Sequence, residues 1–107
     1  MSERTKYLAR IRNADVAIED HGILVLDVTF EYEEGGVQGL PIIIQGPHGG
    51  AFIKAFLQAI GADSFTKARG KDCWVEASSY NIFKISPLHK KDGIPLDIDE
   101  FNKKHKE

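Results

Sequence analysis

Residues 23–33 alternate between apolar and polar side chains, and this period of two constrains the fold more than any other feature of the chain. One set is apolar (Leu24, Leu26, Val28, Phe30, Tyr32) and the other is polar (Asp27, Thr29, Glu31, Glu33). Successive strand residues point to opposite faces, so the pattern predicts a strand with one buried and one solvated face. Such strands are typical of antiparallel sheets that cover a core on one side.

The segment 6–19 has the same period, but its apolar phase moves by one residue after Asn13. The apolar positions are odd before the shift and even after it (Tyr7, Ala9, Ile11, then Ala14, Val16, Ile18). A slip of one residue predicts a β-bulge, which bends and twists a strand. We therefore expect one long bent strand, followed by a turn at Asp20-His21-Gly22.

A third strand and one helix are predicted in the middle of the chain. Residues 37–45 alternate again, and Pro41 indicates a sheet edge or strand start because proline cannot donate a ladder hydrogen bond. Residues 51–60 carry apolar side chains at helical spacing, and Gly61 provides a helix stop.

Strands are further expected at 73–77 and 80–85, with residues 88–107 forming a docked arm and a frayed tail. The fold class is therefore mainly β (α+β), within a single domain of residues 1–107. The order predicts a five-stranded, antiparallel OB-like barrel, or a strongly bent sheet, with one helix between strands three and four. One core is expected to contain Leu24, Leu26, Val28, Phe30, Phe52, Phe56, Leu57, Ile60 and Val75.

Composition limits the environment of the chain. Its 42% hydrophobic and 28% charged residues are ordinary for a globular protein. Cys73 is the only cysteine and lies in an apolar run, which favours a buried packing role over a nucleophilic one. No signal peptide or membrane-length apolar run is evident, so we expect a cytoplasmic protein without membrane contact.

Carboxylates are concentrated in one part of the sequence. Residues 13–34 contain seven Asp and Glu residues and no Lys or Arg. Asp27, Glu31 and Glu33 share the polar face of the strand at 23–33, where a spacing of two residues advances the chain by about 6.8 Å. This acidic face has two interpretations. It is either a solvated surface that also protects a sheet edge, or a surface that imitates nucleic-acid phosphates and is complementary to a basic partner.

Other polar motifs do not point to catalysis. Glu19-Asp20-His21 resembles a metal or acid–base cluster, but neighbouring strand residues point to opposite faces, so a turn is the better interpretation. The loop 46–50 precedes a helix and could hold an anion, yet it lacks the Lys-Ser/Thr of a phosphate-binding loop, and a plain turn is favoured. We therefore predict no catalytic residues, no metal and no cofactor.

Short motifs in residues 9–77 resemble those of small proteins encoded by phages and prophages. They comprise Glu19-Asp20-His21-Gly22-Ile23-Leu24 and the strand after it, Phe52-Ile53 through Gly61, Gly70-Lys71, Trp74 and Val75. The chain departs from that group after residue 77. The resemblance implies an origin in a mobile element and no particular activity.

Two classes of function follow. The first is a non-enzymatic binding protein of phage type that modulates a host system, such as a defence complex, by binding a basic host protein through the acidic face. The alternative is an OB-like protein that binds single-stranded nucleic acid with cations and stacking aromatics. The residues for this alternative would be Arg10, Arg12, Lys71, Trp74, Tyr80 and Lys84.

Overall fold

The computed structural model describes residues 4–79 and 81–105 and shows one antiparallel sheet packed against helices. The six strands lie in the order β3-β2-β1-β4-β5-β6. The elements in chain order are β1 (Thr5–Ile18), β2 (Leu24–Tyr32), β3 (Val37–Ile43), α1 (Gly49–Ile60), α2 (Phe65–Ala68), β4 (Asp72–Ala77), β5 (Ile82–Pro87), a 3₁₀ helix (Lys90–Asp92), β6 (Leu96–Asp97) and α3 (Ile98–Lys104).

The mainly β fold is confirmed, but the predicted five-stranded barrel differs from the structure. The sheet has a sixth strand and is not closed: in the described residues, β3 and β6 form its two edges. Two helices, α1 and α2, lie between β3 and β4, and a third, α3, follows β6. The C-terminal segment was expected as an arm, yet it supplies the edge strand and a helix.

The long first strand bends where its apolar phase shifts. β1 pairs with β2 over Ala9–Ile18, and the register shifts between Ile11 and Asn13. Before the bulge, residues Thr5–Arg10 of β1 also pair with β4. The predicted bulge is therefore confirmed, and it lies where β1 changes from an interior strand to one that pairs with β2 alone.

α1 covers one face of the sheet, which we call the inner face. Phe52, Phe56 and Ile60 point from α1 into a core that the inward residues of all the strands share. Of the predicted core residues, Leu24 and Leu57 are only partly buried, and the rest are buried. α1 ends at Gly61, whose φ of 70° is left-handed, as the sequence predicts for a helix stop.

A pair of tyrosines closes one end of the inner face. The rings of Tyr7 and Tyr32 stack with centroids 4.7 Å apart. The Tyr32 hydroxyl donates to Gln38, and the Gln38 amide donates to the Ser78 carbonyl at 3.3 Å. The ring stacking and the two hydrogen bonds link β1, β2 and β3 to the segment between β4 and β5.

Candidate functional site

The opposite side of the sheet, which we call the outer face, carries the strand residues that alternate with the core. Asp27 and Glu31 of β2 are exposed there. The register places Glu31 opposite Arg10 of β1, and Arg10 opposite Asp72 of β4. Most of the side chains proposed for the two alternative functions thus share one surface.

The acidic face has two members on β2 and one beyond it. Asp27 and Glu31 are four residues apart, which corresponds to about 14 Å along a strand. Glu33 follows the end of β2 at Tyr32, and its backbone N–H donates to the Leu8 carbonyl at 3.0 Å. Glu33 is exposed but belongs to the turn, so the regular row expected from the sequence is shorter than predicted.

Arg10 partly neutralises this row. Its Nε donates to Asp72 Oδ1 at 3.0 Å. The hydrogen bond and charge of Asp72, with a smaller contribution from Glu31, raise the pKa of Arg10 above its ordinary value. Residues 13–34 contain no cation of their own, and Arg10 comes to lie opposite Glu31 because β1 pairs with β2.

Asp27 lies opposite a second carboxylate on the neighbouring strand. Its partner across the β1–β2 pair is Asp15, and like charges directly opposite each other are destabilising. Arg69 forms an ion pair with Asp15 and reduces that repulsion. Among the ion pairs of residues 4–79 and 81–105, none includes Asp27, so its carboxylate remains available to a partner.

An apolar stripe borders these carboxylates on the edge strand. The outward positions of β3 carry almost no polar atoms beyond the backbone, and we call them the β3 stripe: Val37, Gly39, Pro41 and Ile43. Val37 is 53% exposed and Ile43 is 66% exposed. Val37 lies opposite Glu31, and Pro41 lies opposite Asp27. From the sequence, only the inward-facing residues of this strand were considered, although the same alternation also identifies its outward-facing residues.

The other half of the outer face combines aromatic rings with cations. Trp74 of β4 is partly exposed, and Lys6 Nζ lies 5.1 Å from the centre of its indole. The guanidinium carbon of Arg4 lies 4.4 Å from the centre of the Phe83 ring. Both geometries are within cation–π range. Sequence reasoning proposed Trp74 but missed the cations Arg4 and Lys6, because each lies far in sequence from the ring that it contacts.

The cations proposed for nucleic acid do not form a continuous basic groove. Lys84 lies between Glu76 of β4 and Asp97 of β6 in the sheet register. Lys71 lines a separate cleft that also contains Asp63 and Asp92. Arg12 is exposed at the bulge of β1, away from Trp74 in the register. Tyr80 lies outside the described residues.

The turn after β1 is held together by Glu19. Its carboxylate accepts a hydrogen bond from the His21 backbone N–H at 2.6 Å and lies 3.1 Å from His21 Nδ1. The contact with the His21 ring and the backbone N–H groups of His21 and Ile23 lower the pKa of Glu19. Glu19, Asp20 and His21 were expected not to converge, yet the Glu19 carboxylate meets the His21 ring because these two residues flank a turn. The predicted turn role of residues 20–22 is thereby confirmed.

One glycine of the loop ahead of α1, Gly49, is explained by packing. A Cβ at Gly49 would collide with the Ile44 carbonyl, so the loop needs glycine to reach β3. His48 at the helix start makes no side-chain capping bond, and its ring lies 4.9 Å from that of His105. The described residues contain no group of three or more His, Cys, Asp or Glu that could hold a metal ion.

Cys73 lies in the core, and burial raises its pKa to about 12. A neutral, inaccessible thiol is a poor nucleophile at neutral pH.

Comparison with protein-family models, with curated proteins and with solved structures finds no match to the chain. Within residues 4–79 and 81–105, no helix combines the length and apolar character that crossing a membrane requires.

Proposed function

We propose that this protein is a non-enzymatic binding module that docks a basic protein partner on the outer face of β2 and β3. The observation that carries the proposal is the exposed carboxylate of Asp27, which lies beside Asp15 and has Glu31 about 14 Å along the same strand. A cationic partner would relieve the repulsion that remains between the two aspartates beside the Arg69–Asp15 ion pair. The carboxylates would also steer the cations of the partner towards this half of the sheet during association.

Charge alone does not account for useful affinity. Exposed ion pairs contribute about 0–1 kcal/mol each, so two carboxylates add little to the free energy of binding. They act mainly on association rate and on the choice of partner. Most of the binding energy must come from apolar surface, and the β3 stripe beside the carboxylates supplies it.

We propose a mobile-element origin for this binding module. The motifs in residues 9–77 that resemble phage and prophage proteins support a mobile-element origin. A cytoplasmic protein of that kind, with an acidic face that imitates phosphates, would modulate a host system such as a defence complex through protein contacts.

A selection of random peptides on the immobilised protein tests the class of partner. Selected peptides should be enriched in Lys and Arg, and their affinity should fall as salt is added, because exposed charges are screened. The double change Asp27→Lys and Glu31→Lys should weaken them by at least about tenfold, through loss of attraction and gain of repulsion.

Glu100→Lys provides the matched control, since Glu100 is an exposed carboxylate on α3. It should leave the affinity of the selected peptides unchanged. Peptides without net positive charge, or peptides that bind the double variant as well as the wild type, would contradict the proposal.

A second candidate function is binding of single-stranded nucleic acid. The observation that favours it is a pair of partly exposed rings, Trp74 and Phe83, each with a cation over it. The bent sheet with helices between β3 and β4 supports an OB-like relationship, in which such a face binds bases by stacking. The alternation of Lys84 with Glu76 and Asp97 weakens this candidate.

Titration of a labelled single-stranded oligonucleotide at low salt separates the two candidates. We expect no saturable binding by the wild type. Micromolar binding that weakens with salt and with Trp74→Ala would replace the first proposal with the second, since loss of base stacking should cost about 1–3 kcal/mol.

A further inference from the structure

We infer that the partner presents a basic amphipathic helix, whose apolar side packs along the β3 stripe and whose cations meet Asp27 and Glu31. The inference rests on the proposed function and adds the form of the partner. It follows from three features of the outer face: a free edge interrupted by proline, an apolar stripe with a hollow, and carboxylates on one flank.

The free edge of β3 favours a helix over an added strand. The Ile44 N–H donates to the Leu24 carbonyl at 3.1 Å, and the Tyr32 N–H donates to the Gly36 carbonyl at 3.0 Å. Because hydrogen bonding alternates along an antiparallel pair, the odd-numbered residues of β3 direct their backbone groups to the free edge. Pro41 is one of these residues and has no N–H, so an incoming strand would lose a bond at the middle of its ladder.

The apolar stripe has the length of a short helix. Val37 and Ile43 are six residues apart, or about 20 Å along the strand. A helix of about 14 residues spans the same distance. Both side chains are more than half exposed, and Pro41 between them is exposed as well.

Gly39 leaves a hollow between Val37 and Pro41. It lies opposite Thr29 on the outer face and carries no side chain. A Cβ built there would meet only the Val28 carbonyl oxygen, at an ordinary distance of 4.0 Å. The backbone therefore does not require glycine at this position, and the hollow is free to receive a large apolar side chain of the partner.

The carboxylates lie on one flank of the stripe. Glu31 is the cross-strand neighbour of Val37, and Asp27 is that of Pro41. On the other flank, Asp99 lines a pocket together with Pro41, but its carboxylate is already paired with Arg4. The partner helix should therefore carry its Lys or Arg residues along one side of its apolar face, a pattern that an extended peptide with a period of two does not provide.

Three designed peptides of about 18 residues test this form of recognition. The first places Leu on one helical face and Lys along one flank. The second replaces Lys by Glu. The third has the composition of the first but alternates Leu with polar residues. Fluorescence anisotropy should show saturable binding of the first peptide and at least about tenfold weaker binding of the other two.

Gly39→Leu tests the hollow without changing charge. The leucine should occupy the space needed by the partner and weaken the first peptide by at least about tenfold, with the melting temperature preserved. Ser86→Leu is the matched control, since Ser86 lies opposite Trp74 on the other half of the outer face. It should leave binding unchanged.

The possible failures are distinguishable. Equal binding of the helical and alternating peptides, or unchanged binding by Gly39→Leu, would overturn the inference. If selected basic peptides bind through Asp27 and Glu31 but the helical peptide does not, the inference falls and the proposed function stands. If no basic peptide binds at all, both fall.

Discussion

Phe56 is fully buried where α1 packs on the inner face, and its neighbour Leu57 is only partly buried. Phe56→Ala should lower the free energy of unfolding by about 3–5 kcal/mol, through lost burial and the cavity left behind. Leu57→Ala is the matched control and should cost less. Urea denaturation gives both values, and a loss below about 1 kcal/mol for Phe56→Ala would contradict the described core.

The buried thiol of Cys73 and the partly buried phenol of Tyr32 make the free energy of unfolding depend on pH in the alkaline range. Burial raises the pKa of the Cys73 thiol from 9.0 to about 12, and burial beside Tyr7 raises the pKa of the Tyr32 phenol from 10.0 to about 12. Above their unfolded pKa values the unfolded chain releases these protons and the folded chain retains them, so stability is complete below about pH 9 and falls towards pH 12.

The combined variant Cys73→Ala and Tyr32→Phe tests this dependence. Its free energy of unfolding, measured by urea denaturation between about pH 8 and about pH 11, should decline less than that of the wild type. The comparison uses each protein's own change with pH, so a general loss of stability in the variant does not affect it. Parallel declines would show that other groups govern the alkaline behaviour.

Among the elements, the C-terminal segment is the one whose role the sequence pattern did not reveal. Ile98 at the start of α3 is buried in the core, and Phe101 packs edge-on against Phe52 at 5.1 Å. Ile98→Ala should therefore lower the free energy of unfolding by about 2–5 kcal/mol. Lys103→Ala, at an exposed position of the same helix, should have little effect. Equal effects of the two changes would mean that the segment is a loosely docked arm.

Local signals for α3 were present in the sequence but were too short to decide its structure. Asp97 accepts a hydrogen bond from the Glu100 N–H at 3.0 Å, as an N-cap residue does. A helix of seven residues is not stable in isolation, so its formation depends on contacts such as Phe101 with Phe52. Those contacts join positions that sequence periodicity does not relate.

Strand elements were predictable where burial on one face imposed a period of two. The slip after Asn13 located the bulge of β1, and the alternation in β2 placed Asp27 and Glu31 on the outer face. The pairing of β1 with β2 and β4 was not readable in the same way, because register depends on which strands meet. The neighbourhood of Arg10, Glu31 and Asp72 therefore emerged only from the sheet order.

At the scale of the whole molecule, the distribution of charge is more informative than its sum. The formal net charge is only −2, yet the outer face has two unlike halves. Around β2 and β3, exposed carboxylates border apolar side chains, whereas around β4 and β5 cations alternate with carboxylates beside aromatic rings. The first half is the surface on which we propose that a basic apolar partner docks.

An NMR footprint of a bound basic peptide would show directly whether the docking surface lies on β2 and β3. Backbone amide shifts of the ¹⁵N-labelled protein would be followed to saturation with a selected Lys/Arg-rich peptide. The largest shifts should lie in residues 25–31 and 37–43, on β2 and β3, and they should disappear in the Asp27→Lys and Glu31→Lys variant. Shifts concentrated around Trp74 and Lys84, and retained in that variant, would contradict a docking surface on β2 and β3.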